Sequence, residues 1–188
     1  VRGGALADEV RLGLGDDSFA GLGGDDSAEG GTGNDVLRGD AGNDRLSGGA
    51  GADSVGGGQG ADLLWGSGGG DRLAGGAGDD FLWGGRGRDS LDGGAGADRL
   101  SGGEGADAFV LRLGDGADIV ADFRPGVDRL LIDSDIPGWR EGRPLPDASW
   151  SVGRAEGRGG QFVLVDGGAQ STLYWDANGA GAGGREAL

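Results

Sequence analysis

The 188-residue sequence contains no Cys, His, Met or Lys. Without Cys or His it can form no disulfide framework, zinc finger, His-based catalytic triad or His metal site. Without Lys it offers no Schiff-base nucleophile and no P-loop lysine. Basic residues are scarce as well: 16 Arg face 32 acids, a formal net charge of −16. Phosphate backbones require a basic face, so nucleic acid is excluded as a partner. No apolar run reaches membrane-spanning length, and the N-terminal VRGGALADEVRLG lacks the apolar core of a signal peptide. The missing Met leads us to expect a piece of a longer chain.

What is abundant is glycine, 50 residues of it. Such a content suits a linker, collagen or a disordered segment, and collagen fails because the glycines do not recur every third position. The period is nine. Cut from Gly3, the chain reads GGALADEVR, LGLGDDSFA, GLGGDDSAE, GGTGNDVLR, GDAGNDRLS, GGAGADSVG, GGQGADLLW, GSGGGDRLA, GGAGDDFLW, GGRGRDSLD, GGAGADRLS and GGEGADAFV, twelve blocks without a gap over 3–110. Position six is Asp in all twelve: Asp8, Asp17, Asp26, Asp35, Asp44, Asp53, Asp62, Asp71, Asp80, Asp89, Asp98 and Asp107. Position eight is apolar in all twelve, and 31 of the 50 glycines stand at positions one, two and four. A flexible linker has no reason to hold such a phase.

Each position has a physical reading. Glycines at one, two and four allow backbone angles that other residues resist, so a six-residue loop can curl tightly and turn carbonyl oxygens inward. The Asp adds a carboxylate at a fixed place. An all-oxygen donor set suits Ca²⁺, which accepts six to eight oxygens in flexible geometry. The remaining x-U-x is a minimal strand with its middle side chain pointing inward. One buried residue per strand makes no core alone, but stacked coils align these residues into columns.

The blocks resemble the RTX (repeats-in-toxin) family of secreted bacterial proteins, whose consensus is G-G-x-G-x-D-x-U-x. The resemblance implies an all-β fold, a parallel β-roll with two nonapeptides per coil, and calcium between each turn and the turn two blocks on. It implies one ligand column of Asp8, Asp26, Asp44, Asp62, Asp80 and Asp98 and another of Asp17, Asp35, Asp53, Asp71, Asp89 and Asp107. Five gaps in each column predict about ten ions. Leu6 and Leu12 replace turn glycines at the start, so Asp8 and Asp17 are expected to ligate poorly.

At 111 the frame slips by two residues, and a thirteenth copy, LGDGADIVA, adds Asp118 as a ligand candidate. The run GDGADIVADFRPGVDRLLI is similar to the segment closing RTX blocks in serralysin-type C-terminal domains; in it Asp122 and Asp128 are expected to serve turn and structural roles. Beyond it we expect strands near 118–123, 128–132, 149–152, 161–166 and 171–175, with Pro137, Pro144 and Pro146 in a loop between them. The expected organisation is a roll over 1–121 and a β-rich C-terminal cap over 122–188 that covers an otherwise exposed sheet edge. Asp176-Ala177-Asn178-Gly179 is a weak EF-hand fragment lacking the closing Glu.

Charge suggests a mechanism. Block 3–110 holds 20 acids and 7 Arg, and stacking these carboxylates without cations opposes compaction. Calcium would offset the repulsion, so metal binding and folding should be one process. The resemblance implies export by a type I secretion machinery as an open chain, and folding outside the cell. Position-seven and position-nine residues should face outward. Leu63, Trp65, Phe81 and Trp83 occupy them in blocks seven and nine, forming an apolar patch for a docked segment, a partner or a ligand such as a sugar ring. Paired acids such as Asp16–Asp17 and Asp79–Asp80 are explained by the repeat, so no catalysis is expected in this chain. Two alternatives place it beside other functions: the C-terminal part of a secreted protease, lipase or polysaccharide-modifying enzyme with catalysis upstream, or an adhesive surface module.

Overall fold

The structure, a computed structural model, describes residues 1–112, 116–124 and 126–133 and the backbone of three later strands. Twelve strands follow the repeat: β1 (Glu9–Leu14), β2 (Ser18–Ala20), β3 (Ser27–Thr32), β4 (Val36–Ala41), β5 (Arg45–Ala50), β6 (Ser54–Gln59), β7 (Leu63–Gly69), β8 (Arg72–Ala77), β9 (Phe81–Gly87), β10 (Ser90–Ala95), β11 (Arg99–Gly105) and β12 (Ala108–Arg112). They continue as β13 (Ile119–Val120), β14 (Arg129–Asp133), β15 (Gln161–Asp166), β16 (Ser171–Asp176) and β17 (Glu186–Ala187).

Odd and even strands separate into two sheets. One runs β1-β3-β5-β7-β9-β11-β13, the other β2-β4-β6-β8-β10-β12-β14, and every pairing within these runs is parallel. Leu46 stands opposite Leu64 and Leu64 opposite Leu82, so two nonapeptides make one coil. The chain is thus an all-β parallel β-roll, a solenoid in which each coil buries its apolar residues only against its neighbours. The first sheet is extended by β15, β16 and β17, all antiparallel, which pair onto β13 and continue that sheet past the roll.

The inner residues form a single cluster. Phe19, Leu37, Val55, Leu73, Leu91 and Phe109 come from the even sheet; Ala28, Leu46, Leu64, Leu82, Leu100 and Val120 come from the odd one. All are position-eight residues or their continuation. Their neighbours at seven and nine are exposed or half-buried, which is the alternation a one-faced strand requires. Each buried Leu contributes about 1.5–3 kcal/mol of transfer free energy.

The strands are longer than the expected three residues. In β5 the strand runs from Arg45 through Gly48 to Ala50, and the pairing resumes at Gly49 and Ala50, so positions one to three belong to the strand and the turn shrinks to three residues. Position two carries a positive φ within that strand, 113° at Gly49. A side chain at position two meets the preceding coil: a Cβ on Gly49 would lie 2.1 Å from the Gly31 carbonyl. The three blocks that break the glycine rule there keep the conformation and store strain, with φ of 78° at Leu22, 71° at Asp40 and 81° at Ser67. Asp40 recovers some of it through a 3.1 Å hydrogen bond from Arg38.

The strand expected near 118–123 is only Ile119–Val120, because the Asp122 side chain, rather than further backbone, takes up the next donors of β11. The expected strand at 149–152, the proline-punctuated loop and residues 177–179 lie outside the described residues.

Candidate metal centres

Most turns are the three residues Gly-x-Asp; after β7, β9 and β11 the glycine still belongs to the strand and two residues remain, and six residues join β2 to β3. The position-four glycine makes it possible: Gly42 and Gly51 both sit at φ 135°, which L side chains rarely adopt. The turn delivers the position-six Asp to the interior edge of the coil, where its side chain spans two coils.

One carboxylate oxygen is spent on the fold. The backbone N–H of Asp26 donates to Oδ1 of Asp44 at 2.7 Å, that of Asp44 to Asp62 at 2.7 Å, that of Asp62 to Asp80 at 2.8 Å and that of Asp80 to Asp98 at 2.8 Å. On the opposite edge the same ladder links Asp35 to Asp53 at 2.7 Å, Asp53 to Asp71 at 2.9 Å, Asp71 to Asp89 at 2.8 Å and Asp89 to Asp107 at 3.0 Å. Asp8 and Asp17 donate into the two ladders at their N-terminal ends, each at 2.8 Å.

The other oxygen has no protein partner. Among the described residues, Oδ2 of Asp26, Asp35, Asp44, Asp53, Asp62, Asp71, Asp80, Asp89 and Asp98 is buried and makes no hydrogen bond. Such an orphan acceptor is costly, and nine in phase are a feature of the repeat rather than an accident. The surroundings show what it faces. A Cβ placed on Gly39 would lie 2.0 Å from Asp44 Oδ2 and 2.7 Å from the carbonyl oxygen of Gly57 in the next coil. The same holds at Gly75, at 2.2 Å from Asp80 Oδ2 and 2.4 Å from Gly93 O. Position one is therefore glycine because a carboxylate oxygen and a carbonyl oxygen from adjacent coils converge over it. No three carboxylates converge among the described residues; the donors on offer are one carboxylate per turn plus backbone carbonyls. That set is hard oxygen only, which fits calcium and disfavours softer metals.

Electrostatics agree. Burial pushes the carboxyls of Asp44, Asp71 and Asp89 up to about 6 and that of Asp80 up to about 7, from an ordinary 3.8. Asp53, Asp62, Asp98 and Asp107 are raised for the same leading reason. The ladder hydrogen bond pulls each back, and like charges one coil away add to the rise: Asp62 and Asp26 act on Asp44, Asp98 and Asp62 on Asp80. A bare roll holds these groups against their tendency to ionise; a cation at Oδ2 reverses the preference.

A profile of the RTX calcium-binding nonapeptide repeat matches overlapping stretches at residues 2–36, 20–55, 29–64, 65–100, 75–109 and 83–120. The chain belongs to the RTX calcium-binding nonapeptide repeat family. It carries a β-roll whose repeats bind Ca²⁺. No curated protein matches it at significant similarity.

The RTX columns extend beyond the twelve blocks. Asp118, the thirteenth candidate, accepts from the Asp98 backbone at 3.1 Å and so ends the odd column. Asp128 accepts from the Asp107 backbone at 3.1 Å and ends the even one, a place the nine-residue frame did not assign because it stands 21 residues on. Asp122 does something else: its carboxylate accepts from Gly102 N at 2.9 Å, Gly103 N at 2.8 Å and Ser101 Oγ at 2.7 Å, sealing donors on β11. At the N-terminal end Asp8 and Asp17 are only half-buried, and Asp8 Oδ2 is already bonded by Gly4 N at 2.7 Å.

A second ladder escaped the reading of the sequence. Position-five side chains accept from the position-five backbone of the next coil: Asp16 from Asn34 at 2.7 Å, Asn34 from Ala52 at 2.8 Å, Asp25 from Asn43 at 2.8 Å, Asn43 from Ala61 at 2.8 Å and Asp79 from Ala97 at 2.8 Å. Asp or Asn stands at position five in five of the twelve blocks, four of them consecutive, which was its signal. The first member of each acidic pair is thus a rung of the RTX roll.

The aromatic residues also fall together. Leu63 pairs with Phe81 and Trp65 with Trp83 on the outer face of the odd sheet, flanked by Arg45 and Arg99. Trp83 is 46% exposed; the other three are half-buried. Beside Trp65 a shallow depression of about 250 Å³ is lined by Arg11, Glu29, Arg45 and Ser47 among others.

Proposed function

We propose that residues 1–121 act as a calcium-triggered folding module of a secreted bacterial protein, with 122–188 capping the roll. The supporting observation is the row of nine buried, unpartnered Oδ2 atoms, seven of which converge with a carbonyl oxygen of the next coil over a position-one glycine. In this reading Asp8, Asp17, Asp26, Asp35, Asp44, Asp53, Asp62, Asp71, Asp80, Asp89, Asp98, Asp107 and Asp118 supply the carboxylates for about ten Ca²⁺. The chain leaves the cell through type I secretion machinery while calcium is scarce and its carboxylates repel. Outside, calcium loads the columns and the binding free energy becomes folding free energy. The chain itself carries no catalysis; an enzymatic or adhesive domain elsewhere in the same protein would be delivered by it.

Equilibrium dialysis tests the ligand assignment. Wild type should retain about ten Ca²⁺ per chain; Asp44→Asn, Asp62→Asn and Asp80→Asn together should retain fewer. An undiminished count would refute the assignment. We further propose that Leu63, Trp65, Phe81 and Trp83 form a surface for a partner or ligand, since four apolar side chains in register on an outer face are otherwise a solubility liability. A Trp65→Ala, Trp83→Ala double variant that loses stability but no binding would show that the patch serves packing within the chain.

A further inference from the structure

The two columns end differently. At the odd end, Oδ2 of Asp98 is still unpartnered, like the eight other orphans before it. At the even end, Asp107 is not among them, although it is as buried as the rest. Its Oδ2 also sits over the position-one glycine of its block: a Cβ placed on Gly102 would lie 2.4 Å from it. The difference is Arg124. Its Nη2 donates to the Gly105 carbonyl at 2.6 Å and lies 3.4 Å from Asp107 Oδ2 and 3.2 Å from Asp128 Oδ1. Its Nε donates to Asp128 Oδ2 at 3.2 Å, and its backbone N–H reaches the same oxygen at 2.7 Å.

These partners are what a cation in the gap would meet. Gly105 and Asp107 are positions four and six of one turn, and Asp128 is the carboxylate of the next coil. The side chains of Asp107 and Asp128 are 0% and 1% exposed, while that of Arg124 is 42% exposed, so a partly exposed side chain carries its charged head to two buried carboxylates. A guanidinium is permanently charged and its fork matches carboxylate oxygens. We propose that Arg124 is a built-in cation: it takes the place of the metal in the last gap of the even column, so that this gap binds no calcium and the columns carry unequal numbers of ions. This rests on the reading of the columns as calcium sites.

The consequence is a coil whose register is held by the chain's own charge. The turn at 124–128 brings its cation with it and closes on Asp107 without waiting for metal.

Native mass spectrometry of the full chain at saturating calcium resolves single ions and tests this directly. Arg124→Gln removes the charge and keeps an amide; it should bind one more Ca²⁺ per chain than wild type. Arg124→Lys restores a point charge and should return the count to the wild-type value. Should Arg124→Gln fail to fold, Arg124→Met, of similar length and uncharged, takes its place: one additional ion supports the proposal, and the wild-type count in a folded protein overturns it. An unchanged count in a folded Arg124→Gln protein also overturns it. A wild type that takes up no calcium would instead sink the calcium reading itself, so the two failures are distinguishable.

Discussion

The repeat and the segment that closes it handle the same problem in opposite ways. Between Asp26 and Asp98 every turn buries a carboxylate with one oxygen bonded and the other without a partner. Between residues 122 and 128 the acids are answered by the protein: Asp122 by three donors of β11, and Asp128 by Arg124 and the Asp107 backbone. The first arrangement is conditional on an external cation; the second is self-contained. A roll whose folding is tied to metal, as proposed above, needs the first, and a roll that must end needs the second.

Acidity should break the comparison most visibly. The carboxyls of Asp44, Asp71, Asp80 and Asp89 are raised in the folded roll, so the folded state binds more protons than the unfolded one. Their contribution is fully present below about pH 4 and is lost as pH rises through about 6 to 7. Calcium-stripped protein should therefore gain β structure on acidification from neutral pH, while calcium affinity weakens over the same range. Circular dichroism of stripped protein showing no gain on acidification would contradict this.

Core truncation comes next. Leu82 is wholly buried between Leu64 and Leu100, so Leu82→Ala should cost about 2–5 kcal/mol at saturating calcium. Asp122→Ala should cost about 1–3 kcal/mol by stranding the donors of Ser101, Gly102 and Gly103. Because no metal enters that contact, its loss should not alter the ion count. Chemical denaturation with calcium held constant measures both.

The smallest effect sharpens the repeat itself. Leu22→Gly relieves a positive φ of 78°, and should stabilise the calcium-loaded roll by about 1 kcal/mol. A loss of stability instead would mean that the Leu22 side chain packs usefully.

Much of this was legible in the residues. An Asp and an apolar residue held in phase over twelve blocks define the columns and the core, because a period of nine leaves each position one structural task. Strand length was not legible: two adjacent glycines look like a loop, yet parallel pairing of Gly49 and Ala50 to the preceding coil keeps both glycines within β5. The position-five ladder was hidden because Asp16 or Asn34 looks like an ordinary exposed polar residue until coils are stacked. Asp128 and Arg124 were hidden because the frame is lost after 110, and their meeting with Asp107 depends on how the chain re-enters the even sheet through β14.

The central claim is that the orphaned carboxylates couple folding to calcium. Far-ultraviolet circular dichroism of the full chain, recorded in excess chelator and then through a calcium titration, tests it most directly. The account predicts a largely unfolded spectrum in chelator and a cooperative rise of β signal as about ten ions bind. The same β spectrum in chelator as in millimolar calcium would contradict it.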